Sequence, residues 1–327
     1  MDRFHQWLRQ RAATIDERLS DAFEARQERA DDAAPADRRL AAWCQAAANG
    51  DPDLFRRRLE RDGWSAQTVL SRLSAIDVAP QAPVPGWLDD AIWIEAALGE
   101  PFRNGEFATG DRPFVHLLMP VVDRATARLW TDTGASIRNL FTPDGEACLR
   151  LMLLDQLCEL CAPPLYERFS AARTGAASGS EPATPGSAAL YARFVADMKA
   201  GGFRQLFEQW PVLLRLIATL TRQWIEAAGE FAVRLDADRD MLRREFADGD
   251  GAARVSRIEG SLSDRHNNGR SVFIVTFEDG ARAVYKPKDL RLDVAWSGLV
   301  GRLNRAGPPV DLRAVRAIAR DGYGWTE

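Results

Sequence analysis

The strongest constraint on this chain is a change of hydrophobic period near residue 250. Up to that point, apolar residues recur at helical spacing almost wherever a period can be read. Leu8, Ala12, Ile15 and Leu19 are three or four apart, as are Leu117, Val121, Ala125 and Leu129. The same spacing returns in Leu151, Leu154, Leu157 and Leu160, and in Leu213, Leu216, Ile217 and Leu220. Such a pattern lays one apolar stripe along a helix and predicts amphipathic helices packed stripe to stripe. Gly50-Asp51-Pro52, the Pro80–Pro85 stretch, Pro143-Asp144-Gly145 and Pro163-Pro164 are expected to separate them, because proline lacks the N–H that a helix interior needs. The Gly-, Ala-, Ser- and Pro-rich run at 174–187 predicts a flexible surface loop.

Beyond Phe246-Ala247-Asp248-Gly249-Asp250-Gly251 the texture is that of strands. Val255 to Leu262 predicts a strand, Ser263 to Gly269 a polar loop, and Ser271 to Phe277 a second strand, rich in β-branched and aromatic residues and free of charge. Glu278-Asp279-Gly280 supplies a tight turn, with glycine available for positive φ, and Ala281 to Lys286 the return strand. Pro287 ends the pairing. A helix is expected over Asp293 to Arg305 and a last strand over Leu312 to Ala319. The expected class is α+β: a helical region over 1–250 leading into a β-rich segment over 251–327.

Composition narrows the functional classes. Apolar residues make up 46% of the 327, with ten Trp and fifteen Phe, which is ample for a packed core and excludes wholesale disorder. A formal charge of −4 argues against a chain built around nucleic acid. The charge is unevenly divided: 251–327 carries +4, a balance suited to a small anionic ligand. Four cysteines, unevenly placed, make no disulfide framework, and Met1 to Leu40 has no basic-then-apolar targeting signal. No apolar run approaches the roughly 20 residues needed to cross a bilayer. The expectation is a cytoplasmic protein. Only Lys199, Lys286 and Lys288 are lysines, against 40 arginines, so a lysine in a functional context carries unusual weight.

The order of strand, polar loop, strand, tight turn, strand ending in lysine, and helix is that of a protein-kinase amino-terminal lobe. There the loop covers the nucleotide phosphates and the lysine contacts them. Ala283-Val284-Tyr285-Lys286 is a fair counterpart of that lysine-bearing strand. The glycine-rich signature is absent; the loop reads Ser263-Asp264-Arg265-His266-Asn267-Asn268-Gly269-Arg270. That loop, the following Val-Tyr-Lys-Pro-Lys-Asp-Leu and Asp321-Gly322-Tyr323-Gly324-Trp325 together resemble the LanM class II lanthionine synthetases. Trp210-Pro211-Val212-Leu213-Leu214-Arg215-Leu216, with Trp224, Glu230 and Arg234, resembles the helical region of the same family.

The resemblance implies an amino-terminal dehydratase region with a kinase-like core. It implies use of ATP and Mg²⁺ to phosphorylate Ser and Thr of a leader-bearing precursor peptide, then elimination of phosphate to give dehydroamino acids. By position, Asp264 and His266 match the family's functional loop pair and Lys286 its nucleotide lysine, with Arg270 a second candidate for phosphate. The rest of the synthetase and an export transporter are the implied protein partners. Nothing after Lys286 resembles the metal-binding or catalytic-loop motifs of a second lobe, and Asp293 to Arg305 holds no Glu. A truncated, catalytically silent piece is therefore expected, with metal ligands outside it. The alternative is a non-catalytic helical module that binds a peptide or protein.

On the residues alone, each candidate also has a plainer role. Asp264 fits a turn cap, His266 an exposed loop histidine, and Lys286 an edge-strand lysine that discourages aggregation. Arg270 fits a carboxylate as well as a phosphate. Cys158-Glu159-Leu160-Cys161 has metal-ligand spacing but lies in an apolar run with no second pair, so core packing is expected. Asp236, Asp238 and Asp240 lack the Gly and distal Glu of a calcium loop. Arg56-Arg57-Arg58 reads as a solvated face, Lys288 as solvated, and His116 as a buried helix residue.

Overall fold

The computed structural model describes residues 2–26, 33–101, 112–178, 187–246, 253–260, 264 and 266–327. The chain divides into two compact units, one of Met1–Ile92 with Phe207–Arg215 and one of Trp93–Leu206 with Leu216–Glu327. The division does not follow the change of texture at residue 250: the sheet shares a unit with the helices from residue 93 onward.

The first unit holds α1 (Arg3–Arg11), α2 (Ile15–Leu19), α3 (Ala33–Ala48), α4 (Pro52–Arg61) and α5 (Ala66–Leu73), and the start of α6 (Gly86–Leu98). Its helices start where the caps dictate. Thr14 and Glu17 form a reciprocal capping box at α2, and Asp51 accepts from the first free amides of α4, with Pro52 at the first helical position. The core gathers Leu19, Ala36, Phe55, Leu59, Val69 and Leu73. A two-stranded antiparallel sheet, β1 (Phe23–Ala25) with β2 (Ile76–Val78), stands inside the region expected to be mostly helical. Three-residue strands are too short to leave a readable period.

The second unit contains α7 (Val115–Thr133), α8 (Ala135–Arg138), α9 (Pro143–Ser178) and α10 (Ser187–Asp197), the start of α11 (Phe203–Gln209), and most of α12 (Pro211–Phe246). Two expectations need correction here. Pro163 and Pro164 lie inside α9 rather than ending it. The flanking Leu157, Cys158, Cys161 and Leu165 are all buried, and their packing holds the helix through the lost hydrogen bonds. Helix α9 also runs through Thr174 to Ser178, so the loop expected over 174–187 is helical at its start; 179–186 lie outside the described residues. His116 is on α7 as expected but exposed, while its neighbours Val115 and Leu117 are buried.

Strands β3 (Val255–Glu259), β4 (Phe273–Phe277), β5 (Arg282–Lys286), β6 (Ala317–Ala319) and β7 (Gly324–Thr326) form one antiparallel sheet in the order β3-β4-β5-β7-β6, with α13 (Arg291–Arg305) between β5 and β6 in sequence. The class is α+β, as expected. The strand expected over 312–319 is confined to Ala317–Ala319, and Gly324–Thr326, read only as a motif, is the strand between β5 and β6. Gly280 closes the β4–β5 turn at φ +85°.

Strand alternation sets what faces the helices. Phe273, Val275 and Phe277 of β4, and Ala283 and Tyr285 of β5, are buried. Phe231 of α12 packs against Phe273, Tyr285 and Trp325 at centroid separations of 5.0, 5.2 and 6.4 Å. Three strands therefore close over one phenylalanine. Strand β3 is tied to the segment just before α9: Thr142 N donates to Val255 O and Val255 N to Leu140 O. The approach is so close that a Cβ on Gly145 would come 2.3 Å from Val255 O. Among the described residues no helix is long and apolar enough to cross a membrane.

Candidate functional site

Helix α12 organises the site. Its Glu230, Arg234 and Asp238 are four residues apart and so share one face. Together they reach the turn before β4, strand β5 and the segment that ends in β7. Glu230 Oε2 accepts from Arg270 Nε at 2.9 Å and also from Nη2 of the same guanidinium, and Glu230 pairs with Arg234 as well. Arg234 donates to the Tyr285 hydroxyl at 2.6 Å and lies over the Tyr323 ring, 4.3 Å from its centroid. Asp238, 3% exposed, accepts from Tyr323 Oη at 2.8 Å and Trp325 Nε1 at 2.9 Å, and pairs with Arg320 at 2.7 Å.

Burial alone would raise the Glu230 carboxyl, but the hydrogen bonds and charges of Arg270 and Arg234 outweigh it and hold the group below its ordinary range. Burial, together with the hydrogen bond to Asp238 and its charge, pushes the Tyr323 phenol up to about 12. Burial likewise raises Tyr285 against the opposing bond from Arg234.

The loop before β4 is a narrow turn. His266 and Arg270 exchange both backbone hydrogen bonds at 2.9 Å, and the three residues between them all have positive φ: Asn267 at +46°, Asn268 at +64° and Gly269 at +87°. Asparagine and glycine are the residues that enter this region at least cost, which accounts for the Asn-Asn-Gly sequence. Gly269 meets α12 closely enough that an added Cβ would lie 3.1 Å from Gln223 Cβ. Arg270, opening the next stretch, is pulled onto Glu230. The turn is thus held from both sides.

Beneath the turn lies a cavity of about 440 Å³. Its walls are apolar side chains of α9 and α12, among them Leu149, Met152, Leu220 and Trp224, closed by Phe273. Its rim is polar: Gln156, Gln223, and His266 with Asn267 and Asn268. An apolar hollow with a few convergent polar groups suits an apolar group carried on a polar backbone.

The four residues singled out in the sequence are only partly brought together. His266 and Arg270 are joined through the backbone of the turn. Asp264 is exposed, and no hydrogen bond or ion pair joins it or Lys286 to His266 or Arg270. Lys286 ends β5 opposite Gly324 of β7, on the face away from Ala283 and Tyr285, and does not line the cavity. Lys286 is half-buried and has no carboxylate within 4 Å among the described residues. The Arg270 guanidinium is already taken: Glu230 accepts from Nε and Nη2, and Asn267 O accepts from Nη1. Its raised pKa follows from the same bond to Glu230. Of its two sequence readings, the structure selects the carboxylate.

Among the described residues no group of three or more His, Cys, Asp or Glu side chains could hold a metal ion. Cys158 and Cys161 are buried; Cys158 Sγ donates to Pro113 O at 3.2 Å, and burial raises its thiol to about 11. Both are core residues, as expected. Lys288 is exposed, with Asp293 at 3.9 Å.

Asp238 is not among the candidates singled out in the sequence, where it stands only in an alternating Asp236, Asp238 and Asp240. Its signal was available: an acidic residue on the same helical face as Glu230 and Arg234, in a chain whose last residues include a tyrosine and a tryptophan with polar tips to satisfy.

The fold and site together define a helix-backed antiparallel sheet with an anchored turn and a lysine-tipped strand. A family model described as a domain of unknown function (DUF4135) matches residues 210–327. That span runs from the start of α12 to the end of β7 and takes in Glu230, Arg234, Asp238, the turn and Lys286. No curated protein matches the chain.

Proposed function

We propose that this chain is the amino-terminal part of a LanM-type lanthionine synthetase dehydratase, acting on Ser and Thr of a precursor peptide. The single observation that carries the reading is the span of the family match. It covers the turn, the lysine-tipped strand and the α12 residues that hold them, and the matched domain is one found in LanM-type proteins. The loop motif and the Tyr323–Trp325 motif fall in the same span.

In this reading ATP supplies the phosphoryl group that turns a hydroxyl into a leaving group. Lys286, a cation fixed on a rigid strand, holds phosphate charge. Glu230 and Arg270 position the turn, and so His266, through the paired backbone of residues 266 and 270. Asp264 and His266 are the catalytic candidates for moving the proton between hydroxyl, solvent and peptide. The test uses the full-length synthetase. Lys286→Met abolishes ATP-dependent dehydration, read by mass spectrometry as one water lost per modified residue, and His266→Asn lowers it. Undiminished dehydration in the Lys286 variant removes that residue from the mechanism.

A second reading, a peptide-binding module without nucleotide chemistry, is favoured by one observation: neither Asp264 nor Lys286 lines the cavity. Titration of the 327-residue chain with a labelled precursor peptide and with a non-hydrolysable ATP analogue separates the two. Peptide binding without nucleotide binding supports the module.

A further inference from the structure

Fifteen large apolar side chains are exposed among the described residues, and eight of them lie between Leu292 and Val315. Helix α13 accounts for the pattern. Its inner face is occupied by its own chain: Val300 is buried, Ser297 Oγ donates to Val315 O at 2.7 Å, and Asn304 exchanges bonds with the backbone of Leu312 at 2.7 and 2.9 Å. On the outer face Leu292, Trp296, Leu299 and Leu303 follow one another at spacings of four, three and four. Leu292 is 80% exposed and Trp296 63%. That spacing is the seam of a two-helix coiled coil, with the second helix missing. An isolated exposed leucine needs no explanation, whereas a contiguous apolar stripe on one helix marks a contact surface.

The charges along the stripe select the partner. From Lys288 to Arg305, along the stripe and at its start, there are four basic and two acidic residues. Both acids are already engaged, Asp289 with Arg291 and Asp293 with Lys288. Arg302 and Arg305, at the carboxy-terminal end of the stripe, have no carboxylate within 4 Å among the described residues. An apolar seam with a basic edge complements an apolar seam with an acidic edge. A second copy of the same helix brings no acidic edge: in parallel it sets Arg302 and Arg305 against themselves, and in antiparallel it offers them only Asp289 and Asp293, which are already paired.

We propose that the outer face of α13 is the docking surface for an acidic amphipathic helix, seated along Leu292, Trp296, Leu299 and Leu303 with its carboxylates toward Arg302 and Arg305. This inference does not depend on the dehydratase reading.

The probe is a labelled synthetic three-heptad helix with Leu at a and d and Glu at e and g, titrated into the 327-residue chain by fluorescence anisotropy. Saturable binding is expected. It weakens at least about tenfold for the same peptide with Lys at e and g, and by a similar factor for Trp296→Glu. Arg302→Glu weakens the Glu peptide and strengthens the Lys peptide. Leu292 and Trp296 are so exposed that Leu292→Ser and Trp296→Glu retain the parent circular dichroism and urea midpoint, which separates lost docking from lost folding. Four outcomes overturn the proposal: no binding of the Glu peptide, equal binding of both peptides, binding unchanged in Trp296→Glu, or binding of the chain to phosphatidylserine vesicles in preference to the peptide. Concentration-dependent dimerisation abolished by Trp296→Glu also overturns it, because the occupant is then a second copy.

Discussion

The guanidinium of Arg270 closes on the carboxylate of Glu230 across 40 residues of sequence, with Nε 2.9 Å from Oε2. This pair fixes the turn between His266 and Arg270 to the middle of α12, and it is one of several contacts that join the helical and strand parts of the second unit.

Glu230 is held charged by that pair and by Arg234, and its pKa in the folded protein lies below the ordinary carboxylate range. The stabilisation from the pair is therefore complete above about pH 5 and lost as pH falls through the lower, folded-state value. Glu230→Gln is expected to cost about 1–2 kcal/mol at neutral pH, measured by urea unfolding, and the difference from the parent should shrink on acidification. A difference that stays constant with pH would mean that the charge of Glu230 contributes nothing.

Asp238 satisfies three groups at once while being almost wholly buried. Asp238→Ala leaves Tyr323, Trp325 and Arg320 without their acceptor and is expected to cost about 3 kcal/mol. Tyr323→Phe removes only one of those bonds and should cost about 1 kcal/mol. Equal losses in the two variants would show that Asp238 acts through Tyr323 alone.

The Tyr323 phenol ionises near 12 in the folded chain. Because the folded value is raised, the neutral phenol favours folding below the unfolded pKa of about 10, and that stabilisation disappears as pH rises from there toward 12. Phenolate absorbance during an alkaline titration should lose a late-ionising tyrosine in Tyr323→Phe. In Asp238→Asn the same tyrosine should ionise earlier.

Two helical glycines give opposite signs. A methyl on Gly145 would meet the Val255 carbonyl at 2.3 Å, whereas one on Gly229 would sit 3.4 Å from Thr133 Cγ2 and 3.5 Å from Leu129 Cδ1. Gly145→Ala is expected to destabilise by about 1–3 kcal/mol, because α9 or β3 must shift. Gly229→Ala fills ordinary contact space and should gain about 0.5–1 kcal/mol from helix propensity. Thermal unfolding of the two variants checks the contrast.

Much of the second unit's secondary structure was legible from local chemistry. The β4 run is β-branched and aromatic without interruption, and Asp279-Gly280 specifies its turn, so strand, turn and return strand lie within a residue or two of expectation. The fate of Pro163 and Pro164 was not legible, because proline's local cost is outweighed only by buried neighbours that local sequence does not identify. The candidate site was legible residue by residue but not as an assembly. His266, Arg270 and Lys286 were each visible, whereas the capture of Arg270 by Glu230 and the placement of Lys286 on the other face of the sheet from Tyr285 were not.

Sequence by itself determined the longer periodic helices and the strand-turn-strand of β4 and β5, because propensity, period and capping act over a few residues. It also determined which residue types could carry charge or protons, and where a lysine stands out among arginines. Tertiary structure decided the rest: that β7 enters the sheet between β5 and β6, that α12 gathers Arg270, Tyr285, Tyr323 and Trp325 onto one face, and that α13 leaves its leucine stripe outside. Those contacts join residues tens of positions apart, and their energy depends on burial and mutual geometry that exist only once the chain has closed on itself.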